Sequence, residues 1–180
     1  ELLVAGCHHV RVSNASFSPG DLGVEVAYSS DVTLGPNLTM SGLSKGILLL
    51  ASSAVQVLQT VVLNSGTGVV VASSSDVRIE GTKVSAPFGS IGPYDGIVVH
   101  LSDGVNLTQN AVRHHRNGVE IDGSSNVSLF DNVIGSDAVG LNATASRNLD
   151  LVGNLFVWNA RGVRFANITN ASLNQNAVLG

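Results

Sequence analysis

A single cysteine, Cys7, rules out an internal disulfide framework. Charged residues make up only 12% of the 180 and aromatics 4%, with one tryptophan. The formal net charge is −4 and no basic stripe runs through the chain, so nucleic acid is not an expected partner. Hydrophobic residues reach 44%, yet no apolar run approaches the roughly twenty residues of a membrane-spanning helix. No membrane insertion is expected in this segment. No stretch keeps the apolar period of an amphipathic helix either. The length is that of one domain.

What the chain has in abundance is repetition. GVEIDGSSNVSLFDNVIG at 118–135 is paraphrased by GIVVHLSDGVNLTQNAVR at 96–113 and by GLNATASRNLDLVGNLFV at 140–157. The recurring glycines Gly23, Gly46, Gly68, Gly96, Gly118, Gly140 and Gly162 lie 23, 22, 28, 22, 22 and 22 residues apart. Glu1 takes the same slot in the first unit, which makes eight repeats over residues 1–180. A period in the low twenties marks a solenoid, whose units bury their apolar faces against one another.

Within a unit the apolar residues come as alternating pairs, Val119 with Ile121 and Val127 with Leu129, then Ile134. That is strand spacing. A leucine-rich horseshoe would need a helix in every unit, and none is indicated. Three short strands per turn, joined by tight bends, predict an all-β parallel β-helix of about eight coils, each about 4.8 Å above the last. One turn is longer than the rest, SAPFGSIGPYD at 85–95, and its Pro and Gly residues predict a loop. Both ends fall inside a repeat, so the chain is expected to be a segment of a longer solenoid.

Like positions should stack into ladders. One is Asn110, Asn132, Asn154 and Asn176, with Thr60 and Thr82 and, in the second repeat, Asn37. Asn is expected there for a left-handed bend and for amide bonds to the coils above and below. A second ladder is Ser29, Ser52, Ser74, Ser102, Ser124 and Ser146, with Cys7 at one end as a small buried residue. The recurring glycines are expected where φ is positive or where a Cβ has no room.

These repeats resemble the parallel β-helix family that includes pectate lyases, polygalacturonases and NosD-like carbohydrate-binding domains. They also resemble the β-helix repeats of fibrocystin-type surface proteins, in which no catalysis is known. The resemblance covers essentially the whole chain. It implies a right-handed, single-stranded parallel β-helix and says little about function. In the enzymes of this family the polysaccharide lies on the face of the first strands.

The outward residues of the first strands form two columns. Leu48, Leu50, Val70, Ala72 and Val98 make an apolar band, expected to be covered by another segment of the same protein, by a partner, or by Phe88, Ile91 and Tyr94 of the long turn. His100, Glu120, Asp122, Asn142 and Arg164 follow as a polar patch. The bend entering it, RHHRNG at 113–118, sets Arg113 and Arg116 at the rim and adds His114 and His115 there to the patch. These seven residues are the candidate substrate-binding set. If the chain is an enzyme, Glu120, Asp122, His100 and Arg164 are its catalytic candidates: paired carboxylates are the acid and base of glycoside hydrolysis. A lyase would use carboxylates to hold Ca²⁺ and a basic group to take a proton. Clustered aspartates of the polygalacturonase kind are missing, and aromatic platforms for sugars are few. Surface strands also carry charge pairs for no reason beyond pairing. No metal site or other cofactor is expected otherwise, since adjacent histidines on an extended chain point opposite ways.

Seven N-x-S/T sequons occur. Asn14, Asn106, Asn126, Asn142 and Asn170 are expected to face outward and to be glycosylated, which points to an extracellular or cell-surface location. The first functional reading is a non-catalytic structural and interaction segment of a large surface protein, with glycan binding as its ligand function. The alternative is a lyase or glycoside hydrolase acting on acidic polysaccharide.

Overall fold

The structure is a computed structural model and describes residues 1–87 and 93–180. Three parallel sheets of eight strands each wind about a single core. The first sheet runs from Leu2–Ala5 to Arg161–Ala166, the second from His8–Val12 to Thr169–Asn174, and the third from Ser16–Phe17 to Ala177–Leu179. Each strand pairs with its counterpart one repeat away, so the chain is a parallel β-helix of eight coils with no helix among the described residues. Val119, for example, pairs with Ile97 on one side and Leu141 on the other. Val69 pairs with Ile97, 28 residues on, so the sheet register passes over the longer turn unbroken.

The core follows from alternation. In the first sheet Ile47, Val69, Ile97, Val119 and Leu141 point inward and are at most 1% exposed, as are Leu49, Val71, Val99, Ile121 and Ala143. The second sheet contributes Val55, Val77, Val105 and Val127, and the third Met40, Val62, Val84, Val112, Ile134 and Phe156. Period-two strands leave their other residues facing out.

The recurring glycines serve the second of the two expected reasons. None has positive φ. A Cβ on Gly68 would lie 2.1 Å from Val84 Cγ1 and 2.6 Å from the carbonyl oxygen of Gly96. On Gly118 it would lie 2.4 Å from Ile134 Cγ2. The first sheet meets the third bend so closely that only hydrogen fits.

Both ladders form. In the serine ladder each backbone N–H donates to the Oγ one coil on, as from Ser102 to Ser124 at 3.1 Å. That Oγ in turn donates to a carbonyl two residues earlier. In the asparagine ladder Asn132 Nδ2 donates to Leu107 O at 2.8 Å and to Asn154 Oδ1 at 2.9 Å. The left-handed residue is not the ladder asparagine but the one before it: Gln109, Asp131, Gly153 and Gln175 have positive φ. The Asn amide is thereby turned inward. Asn37 is not in the ladder either. Leu38 fills that slot at 0% exposure, its carbonyl accepting from Val61 N, while Asn37 is exposed and donates to Asn14 Oδ1.

Candidate functional site

The first sheet carries the predicted columns in register. Leu48, Val70, Val98, Glu120, Asn142 and Arg164 follow one another across six coils, and Leu50, Ala72, His100, Asp122, Thr144 and Ala166 run beside them. The members of the apolar band are half-buried, because each aliphatic side chain leans on the next coil's. Tyr94 is 54% exposed and rests against Gly66, whose added Cβ would lie 3.2 Å from its Cδ2. Phe88 and Ile91, offered as a cover for the band, lie outside the described residues.

Three of the polar residues are brought into contact. Asp122 is held on both oxygens from opposite sides: His100 Nδ1 lies 3.1 Å from Oδ2, and Thr144 Oγ1 donates to Oδ1 at 2.6 Å. His100 comes from the coil before and Thr144 from the coil after. Arg164 stands two coils beyond Glu120 and forms no ion pair among the described residues. Asn142, between them, is half-buried, and its Oδ1 has no hydrogen-bond partner among the described residues.

Glu120 belongs to a cluster that spacing does not reveal. Its Oε2 accepts from Asn117 Nδ2 at 3.1 Å and lies 3.6 Å from Arg116 Nη2. Both neighbours are fixed by Asp95 at the end of the long turn. Arg116 donates to it through Nε at 3.0 Å and Nη2 at 2.6 Å, and Asn117 through its backbone N–H at 3.1 Å and Nδ2 at 2.9 Å. Asp95 is 8% exposed. Burial by itself would raise its carboxyl. The Arg116 guanidinium, a hydrogen bond with Glu120 and the Asn117 amide outweigh it and hold the group below the usual carboxylate range. Glu120 moves the other way: burial raises it first and the Asp95 carboxyl adds to that, against Asn117 and Arg116. Asp95 and Asn117 were missed because the first lies beyond the insertion and the second reads as a bend residue, whereas Arg116 was expected at the rim without its partner. The identity of their column, Asp95 one repeat before Asn117, was the available signal.

The rim histidines separate. His114 is half-buried with φ 67°. His115, expected at the surface, is 0% exposed. The left-handed residue before it turns its ring into the core, beneath Gly96, so it does not reach the strip. Its backbone N–H donates to Asp137 Oδ1, one coil on, at 2.7 Å.

Among the described residues no three His, Cys, Asp or Glu side chains gather as metal ligands. Asp95 and Glu120 are occupied by Arg116 and Asn117, and Asp122 by His100 and Thr144. This donor set does not fit the Ca²⁺ of a lyase, and no step is derived through it.

The sequon asparagines divide. Asn14, Asn126 and Asn170 are exposed. Asn106 is half-buried and its Oδ1 accepts from Thr108 Oγ1. Asn142 faces the strip with its Oδ1 buried.

Comparison with known proteins places the fold. The A-module of the Azotobacter vinelandii mannuronan C-5 epimerase AlgE6 superposes with a TM-score of 0.83 at 16% identity, over 96% of this chain and 53% of that one. A point mutant of the periplasmic alginate epimerase AlgG superposes at 0.76, with 14% identity over 91% and 50%. The alginate lyase of Paenibacillus sp. str. FPU-7 superposes at 0.57, with 14% identity over 93% and 77%. The chain spans about half the length of the two epimerase structures, and identities this low show the fold alone. No curated protein matches the chain. The family model described as the right handed beta helix region matches residues 2–156. With its strands, registers and ladders wound as that match requires, the chain belongs to the right-handed β-helix family.

Proposed function

We propose that this chain is a non-catalytic, polysaccharide-binding segment of an extracytoplasmic β-helix protein, and that it holds a linear glycan along the polar strip of its first sheet. One observation carries the reading: Asp122 is clamped between His100 and Thr144, so hydrogen-bonding groups recur at one-coil spacing along the axis with their rotamers held. A site whose side chains are already fixed loses little entropy on binding. Asn142 and Arg164 extend the row by two coils. The structures it resembles are named for mannuronan and alginate, which supports a polysaccharide as ligand.

The test is isothermal titration calorimetry against alginate, polygalacturonate, chondroitin and a neutral glucan. Binding to at least one is expected, weakened about tenfold or more in Asp122→Ala, because the loss of an oriented charged hydrogen-bonding group costs about 1.5 kcal/mol or more. Silence across the panel would sink the reading.

A second reading rests on Asp95 and Glu120. Two neighbouring carboxyls pushed in opposite directions are how acid and base are assigned in glycan-cleaving enzymes. Under it the chain is a lyase or glycoside hydrolase. Unsaturated products or new reducing ends, abolished by Glu120→Gln, would replace the first reading with this one. The extracytoplasmic setting is checked separately, by mass measurement of N-glycans at Asn14, Asn126 and Asn170 on the native protein.

A further inference from the structure

The bend that leads into the first sheet carries two exposed aromatic side chains, and they stand at the two ends of the polar strip. Tyr94 lies at the entry to Ile97–His100, the coil of His100. Trp158 lies at the entry to Arg161–Ala166, the coil of Arg164. Three coil steps separate them, about 14 Å at the ordinary strand spacing. Trp158 is 71% exposed and Tyr94 is 54% exposed.

The Trp158 position is unusual in its own column. Its counterparts Asn64, His114 and Ser136 share its left-handed backbone, with φ of 51°, 67°, 60° and, for Trp158, 55°. Small or polar residues suit that conformation and a bulky ring does not. Here the ring is not repaid by burial. Tyr94 has a different kind of support: Gly66, one coil back, leaves room for its ring, so one face is seated and the ring remains half in solvent. On the rim of the Val70 and Ala72 coil, Asn64 and Gly66 occupy the corresponding places.

We propose that Tyr94 and Trp158 are stacking platforms that bracket the strip, so that the binding site spans four coils and takes several consecutive sugar residues of one chain. This rests on the polysaccharide reading above. The chemistry selects a sugar over a protein or lipid partner. A pyranose presents flat C–H faces to a ring and hydroxyls to polar groups at its edge, and this site alternates the same two features. A protein partner would need a contiguous apolar centre instead of two rings separated by carboxylates and an arginine.

Trp158 is the only tryptophan in the chain, so its fluorescence reports on this one position. The experiment titrates the intact protein with oligosaccharides of alginate, polygalacturonate, chondroitin and a neutral glucan, following tryptophan emission and calorimetric heat in parallel. For the oligosaccharide that binds, the emission is expected to shift and to saturate at the calorimetric midpoint. Trp158→Ala and Tyr94→Ala should each weaken binding tenfold or more, and Trp158→Phe by less. Tyr28→Ala, which removes an exposed ring from the opposite rim six coils from Trp158, should leave affinity unchanged. Circular dichroism confirms that each variant is folded. Calorimetric binding with unchanged emission and full affinity in Trp158→Ala would overturn the platforms while leaving the strip intact. No binding by any sugar would overturn both.

Discussion

His115 and Asp137 lie one coil apart inside the third bend, joined by a 2.7 Å hydrogen bond from the His115 backbone to Asp137 Oδ1. Both are within 1% of complete burial. Among the described residues, neither ring nitrogen of His115 nor Asp137 Oδ2 has a partner. Burial pushes the His115 imidazole down to about 4, against the pull of Asp95 and the Tyr94 backbone and with a further push from His114. Burial pushes Asp137 up to about 7, against the His115 amide and Arg113. Both are therefore neutral in the fold at mildly acid pH.

The signs oppose each other. Asp137, raised, contributes stability that is full below its ordinary value of 3.8 and is lost as pH rises toward 7. His115, depressed, contributes stability that is full above 6.5 and is lost as pH falls toward 4. Between about 4 and 6.5 the folded pair and the unfolded pair each bind one proton, and the two slopes cancel. Asp137→Asn should unmask the histidine, so that the variant's own urea stability falls as pH drops from 6.5 to 4. His115→Gln should unmask the acid, with that variant's own stability falling from pH 4 to 7. Each excursion is on the order of 3 kcal/mol. Parallel pH profiles for all three proteins would contradict the account.

Asn132→Ala takes the side-chain acceptor from the Asn110 backbone N–H and the amide donor from the Leu107 carbonyl, while Asn154 Oδ1 keeps only the Asn132 backbone N–H of its two donors. A loss of about 3 kcal/mol or more is expected, since each buried polar group left unpaired costs about 1–3 kcal/mol. Asn37→Ala, at an exposed position outside the ladder, should cost about 1 kcal/mol, chiefly for an alanine held at φ 60°. Urea midpoints of the two variants decide it.

Gly118→Ala drives a methyl to 2.4 Å from Ile134 Cγ2 and 2.6 Å from Asp137 Oδ2. The strand cannot shift without disturbing its neighbours on both sides, so a cost of about 3 kcal/mol is expected, at the upper end for overpacking. Gly20→Ala, whose nearest atoms would lie at 3.9 Å, should be within about 1 kcal/mol of wild type. Thermal unfolding of the pair gives the comparison.

Asp95→Asn removes the carboxylate that adds to the elevation of Glu120. Carboxyl NMR titration should show Glu120 lower than in wild type, yet not fully relaxed, because burial remains the larger cause. An unmoved Glu120 would mean that Asp95 does not face it.

The winding of this protein can be read along the chain. Val119 stacks between Ile97 and Leu141, and Glu120 before Asn142 and Arg164, as counting from one glycine to the next predicts. A period of two within strands and twenty-two between them leaves few other ways to bury so many aliphatic residues. The bends are another matter. Asn37 and Leu38 are neighbours and either fits the ladder by count, yet Leu38 is inside. The recurring glycines were open to two explanations, and only the positions of Val84 and Ile134 chose between them.

Sequence by itself determined the coil, the core columns and which residues share the first face, because strand alternation and repeat length are local properties that accumulate. Tertiary structure alone decided that His115 turns inward while Arg116 turns out, and that Asp95, at the end of the long turn, reaches one coil on to hold Arg116 and Asn117 beside Glu120. The reason is physical. At a bend the direction of each side chain depends on where one left-handed residue falls, and that is settled by the packing and hydrogen bonds of adjacent coils, which no periodicity records.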